Sequence, residues 1–491
     1  MKSIIERTFD TPFAIQNFID GKFVDSVNQM NFENINPATG AMLCTVPDSD
    51  EKDVQKAILA AQKAFPVWKN KSNEERFRIL YVIAQGIMEN LDRFALAESL
   101  DTGKPLSLAK SVDIPRSAQN FEFFATATMQ FASESHDMEG VALNYTLRKP
   151  LGVVACISPW NLPLYLFSWK IAPALAAGNC VVAKPSEVTP LTAYLLGEIC
   201  QKAGLPDGVL NILHGFGHRV GAALIAHPDI KAISFTGGTA TGKQIASVAA
   251  PQFKKLSLEL GGKNPNIIFA DADLDQAIQT TIQSSFRNQG QICLCGSRIL
   301  IESSIYEQFK SRFLEKIGQL KVGNPLDSMT NVGAVVSKNH FHKVLDCIEL
   351  AKAEGGKILT GGNSLKIEGN CENGYFIAPT VIEGLPQHCR TNMEEIFGPV
   401  VTLQSFDNEE EALTIANGTN YGLSATVWTQ DIKKAHRMAN RLEAGIVWVN
   451  TWMLRDLRTP FGGVKQSGVG REGGWEAMRF FTDAKNVVIK Y

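Results

Sequence analysis

The chain has 491 residues, of which 45% are hydrophobic and 20% charged, so it is long enough for two or three globular domains. Lys and Arg number 48 and Asp and Glu 50, and the resulting net charge of -2 argues against a basic nucleic-acid surface and an acidic tail. We therefore expect a small-molecule partner and no nucleic-acid partner.

The nine cysteines are scattered and odd in number, which indicates a reducing compartment and not a disulfide framework. The N-terminal MKSIIERTFDTPF carries charges and a proline where a secretory signal needs an apolar segment. The most apolar region, 152–183, is interrupted by Pro, Asn and Lys and cannot form one membrane-spanning helix. We expect a cytosolic protein with no membrane partner.

Hydrophobic spacing predicts the elements in chain order. NFIDGKFVDS predicts a hairpin, 50–100 and 113–129 predict helices, and ALNYTLR, within 141–148, alternates like an exposed strand that invites a partner subunit. From residue 151 the runs VVACISP, NCVVAK, VLNILHG, AISFTG, KLSLEL and NIIFAD are β-rich and mostly separated by helical segments. This alternation favours an α/β protein with a parallel, doubly wound sheet. Further strand and helix units follow, then a Gly-rich loop and the terminal strand KNVVIKY.

A polar loop around two cysteines is the first candidate site. FRNQGQICLCGSR lies between a helix-like segment and a strand-like one, and it sets Cys293 and Cys295 among amide, Gly and Arg residues. The thiolate of either cysteine is a strong nucleophile, and we expect the polar turn to lower the thiol pKa. The alternative is a buried structural cysteine.

A glycine-rich turn predicts phosphate binding. AISFTGGTATGKQ places Gly237 and Gly238 between a strand and a helix, with backbone N–H groups free to face an anion. The segment also fits the P-loop pattern of a nucleotide hydrolase, but Gln244 stands where Ser or Thr would hold Mg²⁺. A dinucleotide is the better ligand. A second pattern, G-x-G-x-x-x-G at 215–221, misses the usual dinucleotide spacing by one residue.

Three further motifs place polar side chains after strands or in turns. Glu259 in ELGGKNP is either a mobile carboxylate over a glycine loop or a solvated strand end. Asn161, between two prolines in PWNLP, is held in a rigid turn and could donate to an oxyanion. Lys184 and Glu187 in KPSEVTP could hold ribose hydroxyls, or Ser186 could cap a helix that begins there.

Metal binding is not predicted. His340 and His342 in NHFHK lack the spacing of a zinc-binding H-E-x-x-H motif. We expect both on a solvated face and no catalytic metal.

Seven motifs in order, ISPWNLP, KPSEVTP, SFTGGTATG, LELGGKNP, NQGQICLCGSR, EEIFGPV and PFGGVKQSGVGRE, together resemble the aldehyde dehydrogenase superfamily over almost the whole chain. The resemblance implies that Cys293 is the nucleophile, Glu259 the general base, and Asn161 with the Cys293 backbone N–H the oxyanion hole. It also implies NAD as the cofactor and a binding site formed by Trp160, Lys184, Glu187, Gly237, Gly238, Glu395 and Phe397. Gly238 departs from the pattern, because many members carry Ser there.

The resemblance implies the aldehyde dehydrogenase fold, which is an α/β fold in three parts. These are a Rossmann-like NAD domain (1–127 and 147–258), an α/β catalytic domain (259–462) and a β oligomerisation arm (128–146 and 478–491). An arm of this kind implies a homodimer or homotetramer. The intact Cys, Glu and Asn set argues against a catalytically silent protein on the same fold, and retention of Glu259 as a water activator argues against a CoA-acylating enzyme.

The arginines suggest an anionic substrate. Arg455 and Arg458 in WMLRDLRTPFGG precede the tail that closes the family's aldehyde entrance, and Arg116 in DIPRS lies on a helix whose counterpart lines the same tunnel. Guanidinium groups bind carboxylates bidentately, although solvated arginines are the alternative. DTGKP, DIPRS, NLPLYLFSWK and RDLRTPFGG resemble the branch that oxidises 2-aminomuconic and 2-hydroxymuconic semialdehydes. The cysteine motif resembles the aminomuconic members more closely, and a broad-range aldehyde dehydrogenase remains the alternative.

Overall fold

The computed structural model describes residues 13–491. The segment 1–12, which contributed to the compartment prediction and begins the predicted NAD domain, lies outside the described residues. Among the described residues, no helix is long and apolar enough to cross a membrane.

The first sheet has eight strands and carries the predicted parallel unit. In spatial order they are Gly468–Val469, Lys255–Glu259, Ile230–Thr236, Val153–Ile157, Cys180–Lys184, Leu210–Ile212, Asn17–Ile19 and Lys22–Val24. The five strands between residues 153 and 259 are parallel, and the predicted hairpin adds two antiparallel strands at one edge. The chain winds from Val153–Ile157 first to one side and then to the other, which confirms the doubly wound prediction for five of the six β-rich runs. The sixth run, NIIFAD, forms Pro265–Ile268 of the second sheet. Ligands bind at the carboxyl ends of strands where such a sheet reverses direction.

Helices cover this sheet and extend its core. They are Glu51–Lys69, Asn73–Glu89, Leu91–Thr102, Leu106–Leu108, Ile114–Gln130, Pro163–Ala176, Leu191–Lys202, Ala222–Ala226, Thr239–Ala249 and Gly474–Phe480. The helices predicted over 50–100 and 113–129 are confirmed. Ser72 and Glu75 form a reciprocal capping box at the start of Asn73–Glu89, which explains why the chain begins a new helix there.

The second sheet has seven strands. In spatial order they are Lys357–Thr360, Thr380–Glu383, Val400–Phe406, Arg298–Glu302, Pro265–Ile268, Ser424–Trp428 and Ile446–Val449. All neighbours are parallel except the first pair. Its helices are Leu274–Phe286, Tyr306–Ile317, Lys338–Ala353, Arg390–Met393, Glu409–Asn417 and Ile432–Arg441.

A third sheet joins the middle of the chain to its end. Ala142–Pro150 pairs with Ser135–Met138 on one side and with Thr482–Lys490 on the other, both antiparallel. The predicted strand and terminal strand are confirmed, and both edges of Ala142–Pro150 are paired within the chain. The predicted domain boundaries stay a prediction. Three small sheets remain. They pair Met42–Pro47 with Phe13–Ala14 and Asn31–Ile35, Ser364–Leu365 with Phe376–Ile377, and Tyr421–Gly422 with Val464–Lys465.

Candidate active site

Two adjoining cavities lie where the first sheet reverses. The larger, about 480 Å³ and called here the cofactor cavity, is lined by Trp160, Lys184, Glu187, Gly237 and Gly238. The smaller, about 250 Å³ and called here the reaction cavity, shares three of these residues. It is also lined by Asn161, Cys293, Glu395 and Phe397. The fold therefore gathers all seven predicted cofactor residues and two of the three predicted catalytic residues around one connected space.

The cysteine loop, residues 287–297, has an unusual backbone. Asn288, Gln289 and Gly290 have φ values of 52°, 57° and 69°, three left-handed residues in a row. Gly290 is required there, because a Cβ would lie 2.1 Å from the carbonyl oxygen of Gly398. Successive residues keep this costly left-handed conformation only where the surrounding structure restrains them.

The amide side chains of the cysteine loop supply that restraint. Asn288 Nδ2 donates to the carbonyl oxygen of Asn161 at 3.0 Å, and Gln289 Nε2 donates to that of Ala334 at 2.8 Å. From the other side, Asn264 Nδ2 donates to the carbonyl oxygens of Cys293 and Cys295. The amides therefore hold backbone and position the loop; they do not solvate a thiolate.

The structure separates the two cysteines. Cys293 is partly exposed and lines the reaction cavity, whereas Cys295 is buried and does not line it. The expectation of a lowered thiol pKa is wrong: burial raises the pKa of Cys293, and the carboxylates of Glu395 and Glu259 raise it further, while Arg455 opposes them. Burial also raises the pKa of Cys295 to about 12.

Glu259 ends the strand Lys255–Glu259 and is only 3% exposed, so the solvated strand end is wrong. Neither carboxyl oxygen has a hydrogen-bond partner among the described residues. Burial raises the pKa of Glu259 well above its usual value, and the neighbouring Glu472 raises it further. Lys170, Arg471 and Arg455 lower it. A Cβ at Gly462 would lie 2.7 Å from Oε1, so the carboxyl lies against the Gly-rich tail and not over an open loop.

A buried ion pair next to Glu259 was missed in the sequence. Lys170 Nζ donates to Glu472 Oε1 at 2.7 Å and to Ser234 Oγ at 3.2 Å. Lys170 is the only charged residue of the helix Pro163–Ala176, all of whose residues are buried. A lone lysine in an apolar helix requires a buried partner, and that pattern was the available signal.

Asn161 is fixed by a second buried network. Its carbonyl oxygen accepts hydrogen bonds from Lys104 Nζ at 3.1 Å and from Asn288. Lys104 is itself paired with Asp113 at 2.6 Å and Glu98 at 3.3 Å, all of them buried. The side-chain Nδ2 of Asn161 donates to the carbonyl oxygen of Gln291 at 2.9 Å, which uses one of its two N–H groups. The predicted rigid turn is thus held by side chains from two separate segments, Lys104 and Asn288.

In the cofactor cavity, Lys184 Nζ donates to Glu187 Oε2 at 3.1 Å. The alternative in which Ser186 caps a helix is wrong, because the next helix begins at Leu191. Gly238 is the N-cap of Thr239–Ala249, and a Cβ there would meet nothing within 4 Å. The site therefore has open space at the end of a helix where a phosphate would be stabilised.

Glu395, Phe397 and His340 line the reaction cavity. Glu395 Oε1 accepts a hydrogen bond from the backbone N–H of Gly262 at 2.9 Å. The Phe397 ring lies edge-on to Trp160 at 5.1 Å, and His340 lies 4.9 Å from Trp160. The expectation of a solvated face is wrong for His340, which lines the reaction cavity. Burial lowers the pKa of His340 to about 4. The same expectation is confirmed for His342, which is exposed. Within the described chain, no group of three or more His, Cys, Asp or Glu could hold a metal ion.

Two of the three predicted arginines converge on one tyrosine. Arg455 Nη1 donates to the Tyr165 hydroxyl at 3.0 Å, and the Arg116 guanidinium lies 5.7 Å from the Tyr165 ring. Arg116 Nε and Nη2 are buried without a hydrogen-bond partner among the described residues. Arg458 does not join them: its side chain is 80% exposed and paired with Asp456 at 2.6 Å.

Comparisons with known proteins place this geometry in a family. The aldehyde dehydrogenase family profile matches residues 23–487. The chain is 50% identical over 481 residues to 2-aminomuconic semialdehyde dehydrogenase of Danio rerio, covering 97% of this chain and 98% of that protein. It is 47% identical to 2-hydroxymuconic semialdehyde dehydrogenase of Pseudomonas sp. (strain CF600), covering 97% and 99%.

A solved aldehyde dehydrogenase from Bacillus cereus in complex with NAD⁺ superposes with a TM-score of 0.96 at 40% identity, covering 100% of this chain and 99% of that one. A nucleotide hydrolase of the P-loop type is thereby excluded, since the fold and the family match agree over almost the whole chain. The chain belongs to the aldehyde dehydrogenase family.

Proposed function

We propose that the protein oxidises 2-aminomuconic 6-semialdehyde to the carboxylic acid with NAD⁺. The observation that carries the proposal is the reaction cavity, where the partly exposed Cys293 thiol adjoins the cofactor cavity. Arg455 supports an anionic substrate, because its positive charge lies close enough to Cys293 and Glu259 to lower the pKa of both. The Danio rerio relative named for this substrate supports the choice. The Pseudomonas relative named for the 2-hydroxy compound makes that semialdehyde the second candidate.

The cofactor cavity fits NAD. Thr236 Oγ1 is buried and unpartnered among the described residues at the cavity wall, and the N-terminus of Thr239–Ala249 faces open space at Gly238. These donors suit a pyrophosphate. Glu187, held by Lys184, suits ribose hydroxyls. NAD⁺, when bound, supplies the acceptor for hydride from the substrate.

The residues of the chain supply the remaining chemistry. The Cys293 sulfur attacks the aldehyde carbon, and the oxyanion is stabilised by Asn161 and the Cys293 backbone N–H. After loss of hydride, Cys293 carries a thioester. Glu259 then takes a proton from water, which attacks the thioester and releases the acid and the thiol. The balance is one aldehyde, one NAD⁺ and one water giving one acid, one NADH and one proton.

The raised pKa values have a consequence for this sequence of steps. Cys293 and Glu259 are both favoured in their neutral forms by burial, so each must lose a proton to act. A base whose pKa is raised toward the working pH is the more effective catalyst. Burial therefore makes the Glu259 carboxylate a stronger base once its proton is lost.

The test of the proposed function is a substrate panel. Purified protein with NAD⁺ should produce NADH with both muconic semialdehydes, with a higher kcat/KM than for an uncharged aldehyde of similar length. A higher kcat/KM for the amino compound than for the hydroxy compound decides between the two candidates. A preference for the uncharged aldehyde would contradict the proposal and favour a broad-range enzyme.

The oligomeric state and compartment are also proposals. We infer a homodimer or homotetramer, because the third sheet exposes Met138, Val141, Val488, Ile489 and Tyr491. Light scattering after size-exclusion chromatography would show a monomer if this is wrong. Nine unpaired cysteines support a reducing, cytosolic compartment, which fluorescence imaging of a tagged full chain would test.

A further inference from the structure

The segment 395–398, which contains Glu395 and Phe397, crosses the reaction cavity in a strained backbone. Phe397 has a φ of 61°, a left-handed conformation that is costly for a residue other than glycine. The strain orients the Phe397 ring against Trp160 and the carbonyl oxygen toward the helix Lys338–Ala353. Some restraint must offset it.

That restraint is a row of donors on one helix face. His340 Nε2 lies 2.7 Å from the carbonyl oxygen of Phe397. One helical turn later, Lys343 Nζ donates to the carbonyl oxygens of Ile396 at 3.2 Å and Glu395 at 3.4 Å. Three successive carbonyls are therefore held by two side chains at i and i+3, which share a helix face.

The chemistry of the first contact determines the histidine tautomer. A carbonyl oxygen only accepts, so Nε2 of His340 must carry the proton, and the ring can donate while neutral. The ring also lies 4.9 Å from Trp160, so it is packed as well as hydrogen bonded. Ser337 caps the first turn of this helix by accepting from the His340 N–H at 3.3 Å, which fixes the base of the side chain.

The other side of the segment is in contact with the cysteine loop. A Cβ at Gly398 would lie 2.7 Å from Val344 of the helix, and a Cβ at Gly290 would lie 2.1 Å from the Gly398 carbonyl oxygen. The segment is therefore packed between the helix and the loop that carries Cys293.

We propose that His340 and Lys343 are positioning residues that hold Glu395 and Phe397 in the orientation required to bind the nicotinamide half of NAD⁺. This inference rests on the proposed function, since it names what supports the cofactor side of the same site. The segment has no other side-chain donor to its three carbonyls among the described residues. Lys343 has a second effect, because its charge favours the carboxylate form of Glu395.

The test compares His340→Ala with His340→Gln, whose amide can still donate, and with His342→Ala. His342 is the matched control, because it is exposed on the same helix and its ring lies 5.4 Å from the Phe341 ring. His340→Ala should weaken NAD⁺ binding roughly three- to ten-fold, the range for loss of one net hydrogen bond. The calorimetric Kd and the KM for NAD⁺ should both show this loss. His340→Gln should recover most of this loss, and His342→Ala should match the wild type.

A structural role alone would move other readouts. Hydrolysis of an activated ester by Cys293 needs no NAD⁺, so in His340→Ala it should fall by a smaller factor than the NAD⁺ affinity does, and equal losses would overturn the proposal. Unchanged NAD⁺ affinity, or a His340→Gln variant as weak as His340→Ala, would overturn the proposal. If His340→Ala does not fold, Lys343→Met decides, with the same selective loss expected and wild-type affinity refuting it. A wild-type protein that binds NAD⁺ but oxidises no aldehyde would sink the proposed function and leave this binding test intact.

Discussion

Removal of Arg116 gives the sharpest test of the anionic substrate. Its Nε and Nη2 atoms are buried without a partner among the described residues, so the folded protein gains little from them. A buried donor left unpaired costs about 1–3 kcal/mol, and a bound carboxylate would remove that cost. We therefore expect Arg116→Ala to leave the melting temperature unchanged or raise it, and to weaken binding of the muconic semialdehyde.

The size of the effect follows from the type of contact. A hydrogen bond to a charged group contributes about 1.5–3 kcal/mol, and about 1.4 kcal/mol is a factor of ten. The KM for the semialdehyde should therefore rise roughly 10- to 140-fold in Arg116→Ala. The KM for an uncharged aldehyde of similar length should change little, because it has no carboxylate to lose.

Arg455 is expected to behave differently. It donates to the Tyr165 hydroxyl at 3.0 Å and its guanidinium lies 3.9 Å from the Phe461 ring centroid, so Arg455→Ala removes packing as well as charge. Arg455→Ala should raise the KM for both the semialdehyde and the uncharged aldehyde, and the KM for the semialdehyde should rise more. Arg458→Ala should have the smallest effect of the three, since Arg458 is exposed and paired with Asp456. Equal losses on charged and uncharged substrates in Arg116→Ala would refute the reasoning. Steady-state assays of NADH formation measure all three.

Four further predictions concern single residues. Cys293→Ala should abolish oxidation while NAD⁺ binding by calorimetry persists, and substantial turnover would exclude this nucleophile. Glu259→Gln should release about one equivalent of NADH per site and leave a thioester visible by mass spectrometry; wild-type steady turnover would exclude it as the base. Glu187→Ala should narrow the preference for NAD⁺ over NADP⁺, because the carboxylate repels a 2′-phosphate, and an unchanged kcat/KM ratio would show that it has no such role. His214 is buried with both ring nitrogens unpartnered among the described residues, and burial lowers its pKa to about 3 from 6.5. The unfolded chain binds that proton first, so stability present above pH 6.5 should fall by about 1.4 kcal/mol per pH unit below it. Denaturant unfolding of His214→Leu at pH 7 and pH 5 should show a smaller loss than the wild type.

The pattern of hydrophobic residues was sufficient for the layout of the first sheet. The β-rich runs from VVACISP to KLSLEL became five parallel strands, because alternating strand and helix periods leave a doubly wound sheet as the simplest way to bury both faces. The turn after Ile230–Thr236 and the two-proline turn at Asn161 could be placed from local sequence, since glycine and proline restrict the backbone independently of distant contacts.

Long-range contacts decided what these local patterns could not. The amides of the cysteine loop looked like groups around a thiolate, yet they hold backbone from Asn161 and Ala334, segments more than 40 residues away. His340 looked solvated because its neighbours are polar, but the helix turns it into the reaction cavity.

The sequence by itself determined the residue types that the chemistry needs and the order of the strands that carry them. Only the tertiary structure decided the electrostatics: Glu259 ends a strand of the first sheet, Cys293 lies in a loop that leads into the second, and the carboxylate of Glu259 raises the pKa of the Cys293 thiol. Likewise, Arg116 and Arg455 are more than 300 residues apart and meet only through Tyr165. Burial and charge proximity depend on the packing of distant segments, so a local pattern of residues carries no record of them.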